Sequence, residues 1–425
     1  MKFYIYTLGC KVNAYESSIM QEDLENHGYV KVDSEEYADI CIINTCTVTN
    51  TADNKSLKVI RKVVRDKKNK IVVVTGCLSQ TNPTKVSFDG VDIIIGNKNK
   101  SKISSYIDEY IKKHNKKLDI CDLSSTEFET MKLNNFNKTR AFIKIQDGCN
   151  NFCSYCIIPY SRGNVRSKKK EDVLEEVNNI IKNGHKEIVL TGIHTGNYGV
   201  EFENYDFAAL LLDLVKLKLD RIRISSIEIT ELNDRVIDVI KNNDIIVDHL
   251  HIPLQSGSDK ILKLMNRKYD IKYFMDKLNI LRKIRKDISI TTDIIVGFPG
   301  ETEEDFNDTL NNSKLMEFSK IHVFPYSKRD NTKAATMENQ VSDIVKKQRV
   351  LKLINLSRTL EKNYINKFIG KKLYFIPEIY KDGYLIGHTG NYLLIKAKGN
   401  EKLLNKEVEV LTINEEYPMI LSKII

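Results

Sequence analysis

Two hydrophobic periods alternate along the first 114 residues. Residues 2–9 alternate apolar and polar side chains, as a half-buried strand does. Residues 38–46 (ADICIINTC), 70–77 (KIVVVTGC) and 91–97 are near-continuous apolar runs of the kind buried in parallel sheets. Between them, 13–28, 49–67 and 100–114 repeat apolar residues at helical spacing, the first ending at Gly28, a helix-stop signal. Strands alternating with helices predict a parallel sheet with helices on its faces. Residues 115–138 are polar and weakly periodic and read as a linker. The alternation then resumes. Predicted strands at 140–148, 187–192, 221–229, 247–255, 289–297 and 321–326 are separated by helices at 171–184, 207–216, 234–242, up to about 286, and 303–316. Six such units predict a partial (β/α)6 barrel, whose active site belongs at the carboxyl ends of its strands. A long helix at 351–370 leads to five short strands at 373–379, 383–386, 392–397, 407–413 and 419–422, with Lys381-Asp382-Gly383 as a hairpin turn. The expected fold is α/β in three parts: an N-terminal parallel α/β sheet domain at 1–125, the partial barrel at 138–361, and a small C-terminal antiparallel β-barrel at 362–425.

Composition changes this picture little. Charged residues are 29% and hydrophobic residues 41% of 425, ordinary for a globular chain. No apolar run reaches bilayer length, and the start reads straight into a strand rather than a signal peptide, so no membrane and a cytoplasmic location are expected. Eight cysteines in a reducing compartment point to metal or catalytic roles rather than disulfides. The net charge of +9 suits a polyanion such as RNA, although Lys is frequent throughout.

The cysteines carry the chemistry. Cys149, Cys153 and Cys156 form Cys-x3-Cys-x2-Cys on one loop at the end of the first barrel strand. Iron–sulfur clusters usually take four cysteines. Three therefore imply an open iron, where a cofactor or substrate binds; the alternative is a structural zinc. Cys10, Cys46 and Cys77 each follow a different strand of the N-terminal sheet, the end at which open α/β sheets bind ligands. They predict a second three-ligand cluster, or else three separately buried core cysteines. Cys41 and Cys121 read as packing residues.

The Cys-x3-Cys-x2-Cys loop resembles that of the radical S-adenosylmethionine (SAM) enzymes. With Thr7-Leu8-Gly9-Cys10-Lys11-Val12-Asn13, Asn44-Thr45-Cys46-Thr47-Val48-Thr49, Thr75-Gly76-Cys77, Pro159-Tyr160-Ser161-Arg162-Gly163 and His251-Ile252-Pro253-Leu254-Gln255-Ser256-Gly257-Ser258, the whole chain resembles the radical SAM methylthiotransferase family. The resemblance implies two [4Fe-4S] clusters, one on Cys149, Cys153 and Cys156 and one on Cys10, Cys46 and Cys77. It also implies two SAM molecules per product, one giving a 5′-deoxyadenosyl radical and one methylating a sulfur held at the second cluster. Tyr155, Gly192, Ser225, Glu228, His251, Gln255 and Gly297 fall where the superfamily holds SAM. The C-terminal barrel resembles the TRAM module, which implies tRNA as partner, with Tyr384, His388, Asn391 and Tyr392 as RNA contacts. Gly9–Asn13 and Thr45–Asn50 resemble the branch acting on N6-threonylcarbamoyladenosine at position 37, in the anticodon loop. Neighbouring possibilities are isopentenyladenosine or a ribosomal-protein aspartate as substrate, and, in another class, an iron–sulfur RNA-binding or electron-transfer protein without SAM chemistry. An external electron donor such as flavodoxin or ferredoxin is implied.

Overall fold

A computed structural model describes residues 1–425 except 126, 135, 137 and 138, all four within the predicted linker. The N-terminal sheet is parallel and six-stranded, in the order β2-β1-β3-β4-β5-β6. Its strands are β1 Lys2–Thr7, β2 Val30–Lys31, β3 Ile40–Thr45, β4 Ile71–Gly76, β5 Ile93–Ile95 and β6 Lys117–Asp119. β3 and β4 are buried throughout, which is why their sequences show no alternation. Phe3, Ile40, Ile42 and Val73 pack on one face; Cys41, Ile43, Val72 and Val74 pack on the other. Cys41 is thus a core residue. β2 and β6 were not expected: two or three residues are too few to show a period, and β6 lies inside the predicted linker.

The central domain contains β7 Arg140–Lys144, β8 Gln146–Asp147, β9 Arg166–Ser167, β10 Glu187–Thr191, β11 Arg221–Ile224, β12 His249–His251, β13 Ser289–Val296 and β14 Lys320–Pro325. Parallel sheets β7-β10-β11 and β12-β13-β14 are joined through the bridges Ile222↔Ile246 and Ser226↔His251, giving six strands in sequence order. β8 and β9 form a short antiparallel pair at the two ends of the cysteine loop. β12 is much shorter than the predicted 247–255. Pro253 has no N–H for a ladder, so the regular strand stops before it and only an isolated bridge, Gln255↔Ile294, pairs with β13 beyond.

The curved sheet has free edges at β7 and β14, and the N-terminal domain packs at the β7 side. Tyr15 and Ile19, from the helix Lys11–Asn26, join the barrel's apolar core together with Met131, Leu133 and Phe136. Much of the predicted linker is therefore a packed belt, its apolar residues too widely spaced to show a period.

The C-terminal strands β15 Lys372–Lys381, β16 Tyr384–Thr389, β17 Leu394–Lys398, β18 Val408–Glu416 and β19 Met419–Ile424 close into a barrel ordered β15-β16-β17-β19-β18. The helix leading to it, Asp343–Asn366, begins earlier than the predicted 351, at a Ser342 cap. The small barrel docks on the amino ends of the central strands. Arg221 donates to the His388 and Tyr374 carbonyls and pairs with Glu407 at 2.7 Å. Tyr392 stacks on His249 and His388 with centroids 4.5 and 4.6 Å apart. The Asn391 amide donates to the Tyr364 hydroxyl. His388, Asn391 and Tyr392, expected at RNA, are thus occupied by contacts inside the protein.

Candidate active site

The loop after β8 turns at Gly148, φ +74°, where a Cβ would lie 1.9 Å from the Asn164 carbonyl. Only glycine fits there. The loop is clamped from outside its own sequence. Ser154 N donates to the Met265 carbonyl, Ser154 Oγ to that of Leu264, and Asn266 Nδ2 to those of Asn151 and Phe152. Cys149, Cys153 and Cys156 lie near enough to perturb one another's ionisation. Arg267 donates Nη1–H to Cys153 Sγ at 3.2 Å.

Cys10, Cys46 and Cys77, far apart in sequence, also meet. A Cβ on Gly9 would lie 2.8 Å from Cys46 Sγ, and Cys77 perturbs both Cys10 and Cys46. Gly76, at φ +104°, lets the Cys77 turn pass the Thr45 carbonyl, which a Cβ would approach to 2.4 Å. Cys77 Sγ accepts hydrogen bonds from Arg162 Nε (3.3 Å) and Asn97 Nδ2 (3.5 Å). Such N–H···S bonds stabilise thiolate charge and tune a cluster's potential.

Donors on one tetrahedral zinc sit about 3.8 Å apart, and among the described residues none of the six thiols belongs to a group of three or more donors lying mutually within 4.8 Å. Burial pushes the Cys149 thiol up to about 11, and the Cys46 and Cys156 thiols up to about 12. Ligand thiols must shed protons on metal binding. Iron uptake by metal-free protein is therefore expected to release protons and to strengthen from about pH 7 to about pH 9. Loading followed by visible absorbance that stays flat over that range would contradict this.

A buried charge network joins the two triplets. Arg162 ends the helix Ile158–Arg162, just beyond Cys156, and is fully buried. Besides Cys77 it contacts Glu16 through both terminal nitrogens, Asn13 Oδ1 at 2.7 Å and Asp147 at 3.4 Å. Glu16 also pairs with Lys100, and with Lys144 at 2.7 Å. Burial alone would raise the Glu16 carboxyl; Arg162, Lys100 and Lys144 instead hold it well below the usual range. Four cations (Lys100, Lys144, Arg162, Arg166) thus surround two carboxylates, Glu16 and Asp147. Of these cations, Arg162 also reaches a thiol, that of Cys77.

Val48 and Thr49, just after Cys46, line a cavity of about 190 Å³ together with Tyr155, Cys156, Gln255, Asp293 and Phe324. Tyr155 packs edge-on to Phe298 at 6.5 Å. The other expected SAM contacts divide into one at this cavity, three supporting it and two beside it. Gln255 lines it. Gly192 packs on Gln146, whose amide donates to the Asp147 and Gly148 carbonyls at the base of the cysteine loop. Glu228 shares its carboxylate between the Glu231 backbone N–H and Arg267, the guanidinium that reaches Cys153. Gly297, φ +72°, gives its N–H to the Glu301 carboxylate. Ser225 and His251 line a second cavity beside the first, with Asp293 between: its carboxylate lies 3.2 Å from His251 Nε2. A larger cleft of about 700 Å³ between the two barrels contains none of the cysteines.

Sequence reading missed Glu16, Asn97, Arg267 and Asp293, and gave Arg162 no role although it was in plain view after the cysteine loop. A lone acid on a helix, or a lone Arg 114 residues from the thiol it meets, has no local signature.

Comparisons with known proteins agree with this geometry. Residues 143–312 match the radical SAM superfamily, and residues 2–96 match the uncharacterized protein family UPF0004. The chain is 45% identical over 423 residues to the threonylcarbamoyladenosine tRNA methylthiotransferase MtaB of Bacillus subtilis, covering 97% of this chain and 94% of that one. It is 36% identical over 427 residues to the tRNA-2-methylthio-N(6)-dimethylallyladenosine synthase of Carboxydothermus hydrogenoformans, covering 96% of each. In fold it is similar to the radical SAM methyltransferase TsrM of Kitasatospora setae, with TM-score 0.58 at 12% identity, over 79% of this chain and 73% of that one.

Proposed function

Because this chain belongs to the radical SAM methylthiotransferase family, we propose that it inserts a methylthio group at C2 of N6-threonylcarbamoyladenosine at position 37 of tRNA. Cys149, Cys153 and Cys156 would hold one [4Fe-4S] cluster, and Cys10, Cys46 and Cys77 the other. When bound, these clusters and SAM supply a carbon radical that can take the unactivated C2 hydrogen and a methylated sulfur to replace it. The observation that carries the reading is one shared cavity, lined by Thr49 from the Cys46 loop and by Tyr155 and Cys156 from the other triplet.

The chain's own residues do the positioning. Tyr155, Phe324 and Ile295 give the cavity apolar walls, which keep water from a reactive carbon centre. Arg329 bonds Thr47 Oγ1 at 2.7 Å and Asp53 at 2.9 Å, and Asn50 N donates to Ser327 Oγ. These contacts fix the Cys46 loop to the end of β14 and hence fix the distance between the triplets. Arg162 does the same from the Cys77 side. Such support holds reacting groups in a productive geometry.

The named base is favoured by the 45% identity to one relative named for threonylcarbamoyladenosine, against 36% to one named for the dimethylallyl base; two further relatives named for threonylcarbamoyladenosine stand at 38% and 36%. A donor of the flavodoxin or ferredoxin kind is proposed as the electron source. Among the described residues no helix is long and apolar enough to cross a membrane, in keeping with the proposed cytoplasmic location. The test is direct. Reconstituted protein with SAM, a reductant and tRNA carrying threonylcarbamoyladenosine should yield the 2-methylthio nucleoside by mass spectrometry. Product only from isopentenyladenosine tRNA would overturn the base assignment.

A further inference from the structure

The second cavity, about 230 Å³, is lined by residues of all three domains, among them Lys11, Arg140, Arg223, Lys320, His249 and His322, with Tyr392 of the C-terminal barrel. Most of its cations already have partners. Arg140 pairs with Glu378 at 3.0 Å, Arg223 with Glu187 at 2.8 Å and Lys320 with Glu361 at 2.9 Å. Asp293 faces His251 at 3.2 Å. Lys11 and His322 differ: both are solvent-accessible and among the described residues neither makes a hydrogen bond or an ion pair, although a His322 nitrogen lies within 4.8 Å of the Asp293 carboxylate and a His251 nitrogen. His249, 6% exposed, has a buried Nδ1 with no hydrogen-bond partner. Buried polar groups are ordinarily satisfied. A concave site with unanswered donors on two domains suits an anionic ligand.

The position narrows the ligand. Lys11 follows Cys10 directly, and Asp293 lines the neighbouring cavity that holds Tyr155 and Cys156. The cavity therefore lies next to Cys10 through Lys11, and next to the other triplet through His251, Asp293 and the first cavity. A base whose C2 lies between them would project its N6 substituent nearby. Threonine linked through its nitrogen to a carbamoyl group keeps a free carboxylate, whereas a dimethylallyl group is apolar and gains nothing from cations. Resting on the function proposed above, we infer that this cavity seats the carboxylate-bearing N6 substituent of the substrate base, with Lys11 and His322 as the groups that meet it. The methionyl carboxylate of SAM has the same chemistry, so the experiment must separate the two.

Anticodon stem-loops carrying threonylcarbamoyladenosine or its neutral methyl ester provide the probe. Wild-type protein is expected to favour the free acid in kcat/KM by about tenfold to a hundredfold, the range for one charge-assisted contact. Lys11→Met is expected to bring that preference to within about twofold, through KM for the stem-loop and with KM for SAM unmoved. His322→Phe should weaken the preference and His322→Gln, which keeps a donor, should largely restore it. Binding of the labelled stem-loops to SAM-free protein should show the same order. Equal use of acid and ester by wild type would overturn the inference, as would a Lys11→Met effect that falls equally on both or on KM for SAM. Absence of product from both, with product from isopentenyladenosine stem-loops, would overturn the functional reading itself and this inference with it.

Discussion

Cys46→Ala is expected to abolish methylthio transfer while SAM cleavage continues. Cys46 belongs to the N-terminal triplet, and the cleavage reaction is assigned to Cys149, Cys153 and Cys156. The two triplets are held by different loops, and the Cys149 loop is clamped by residues 264–266, none of which touches Cys46. Removing one of three ligands should cost the N-terminal site most of its iron, lowering the content from about eight to about four per chain. Release of 5′-deoxyadenosine should stay within about threefold, and 2-methylthio product should fall at least about a hundredfold; loss of a ligand typically removes what the metal supplies. The reverse substitution separates the roles: Cys153→Ala should stop cleavage and therefore transfer. Retained transfer in Cys46→Ala would end the sulfur-donor assignment.

Glu16→Gln should be the most destabilising change outside the cysteines. Glu16 is fully buried and answers Arg162, Lys100 and Lys144 at once. The substitution removes one charge and strands three cations in a low-dielectric interior, where breaking a buried pair costs about 3–5 kcal/mol. Denaturant unfolding should show a lower midpoint with little change in slope. Arg162 would lose the partner that aims it at Cys77, so N-terminal iron should fall as well. The sign of the pH dependence follows from the depressed Glu16 carboxyl. Its contribution is present in full above the ordinary carboxyl value, about 4.3, and is lost as pH falls below that toward the folded-state value. Wild type and Glu16→Gln should therefore converge in stability in acid. A difference that persisted unchanged below about pH 3 would contradict the network's role.

The largest features were legible in the chain because they are local. The buried runs at 38–46 and 70–77 can be nothing but central strands, and the cysteines that follow them had to lie at one edge of one sheet. The spacing of the three-cysteine loop pointed to an open-iron cluster or a structural zinc, and the resemblance favoured the cluster. Short pairings such as β2 and β6 were not legible: they form because a longer neighbour offers an edge, and two or three residues carry no period. The belt at 131–136 was read as a linker because its apolar residues, Met131, Leu133 and Phe136, match no regular element, yet they fill the seam between two domains.

What the sequence by itself determined was composition of parts: two triplets of soft ligands, each on the carboxyl side of strands, and a barrel to carry one of them. Only the tertiary structure decided that the parts face each other. Glu16, Arg162, Asp147 and Lys100 come from four separate segments, and Lys11, His322 and Tyr392 from three domains. Charges buried together attract or repel according to distance in space, and distance in space is what a one-dimensional pattern leaves out. The thiols are written in the chain; the electrostatic field and the cavity they act in exist only once it has folded.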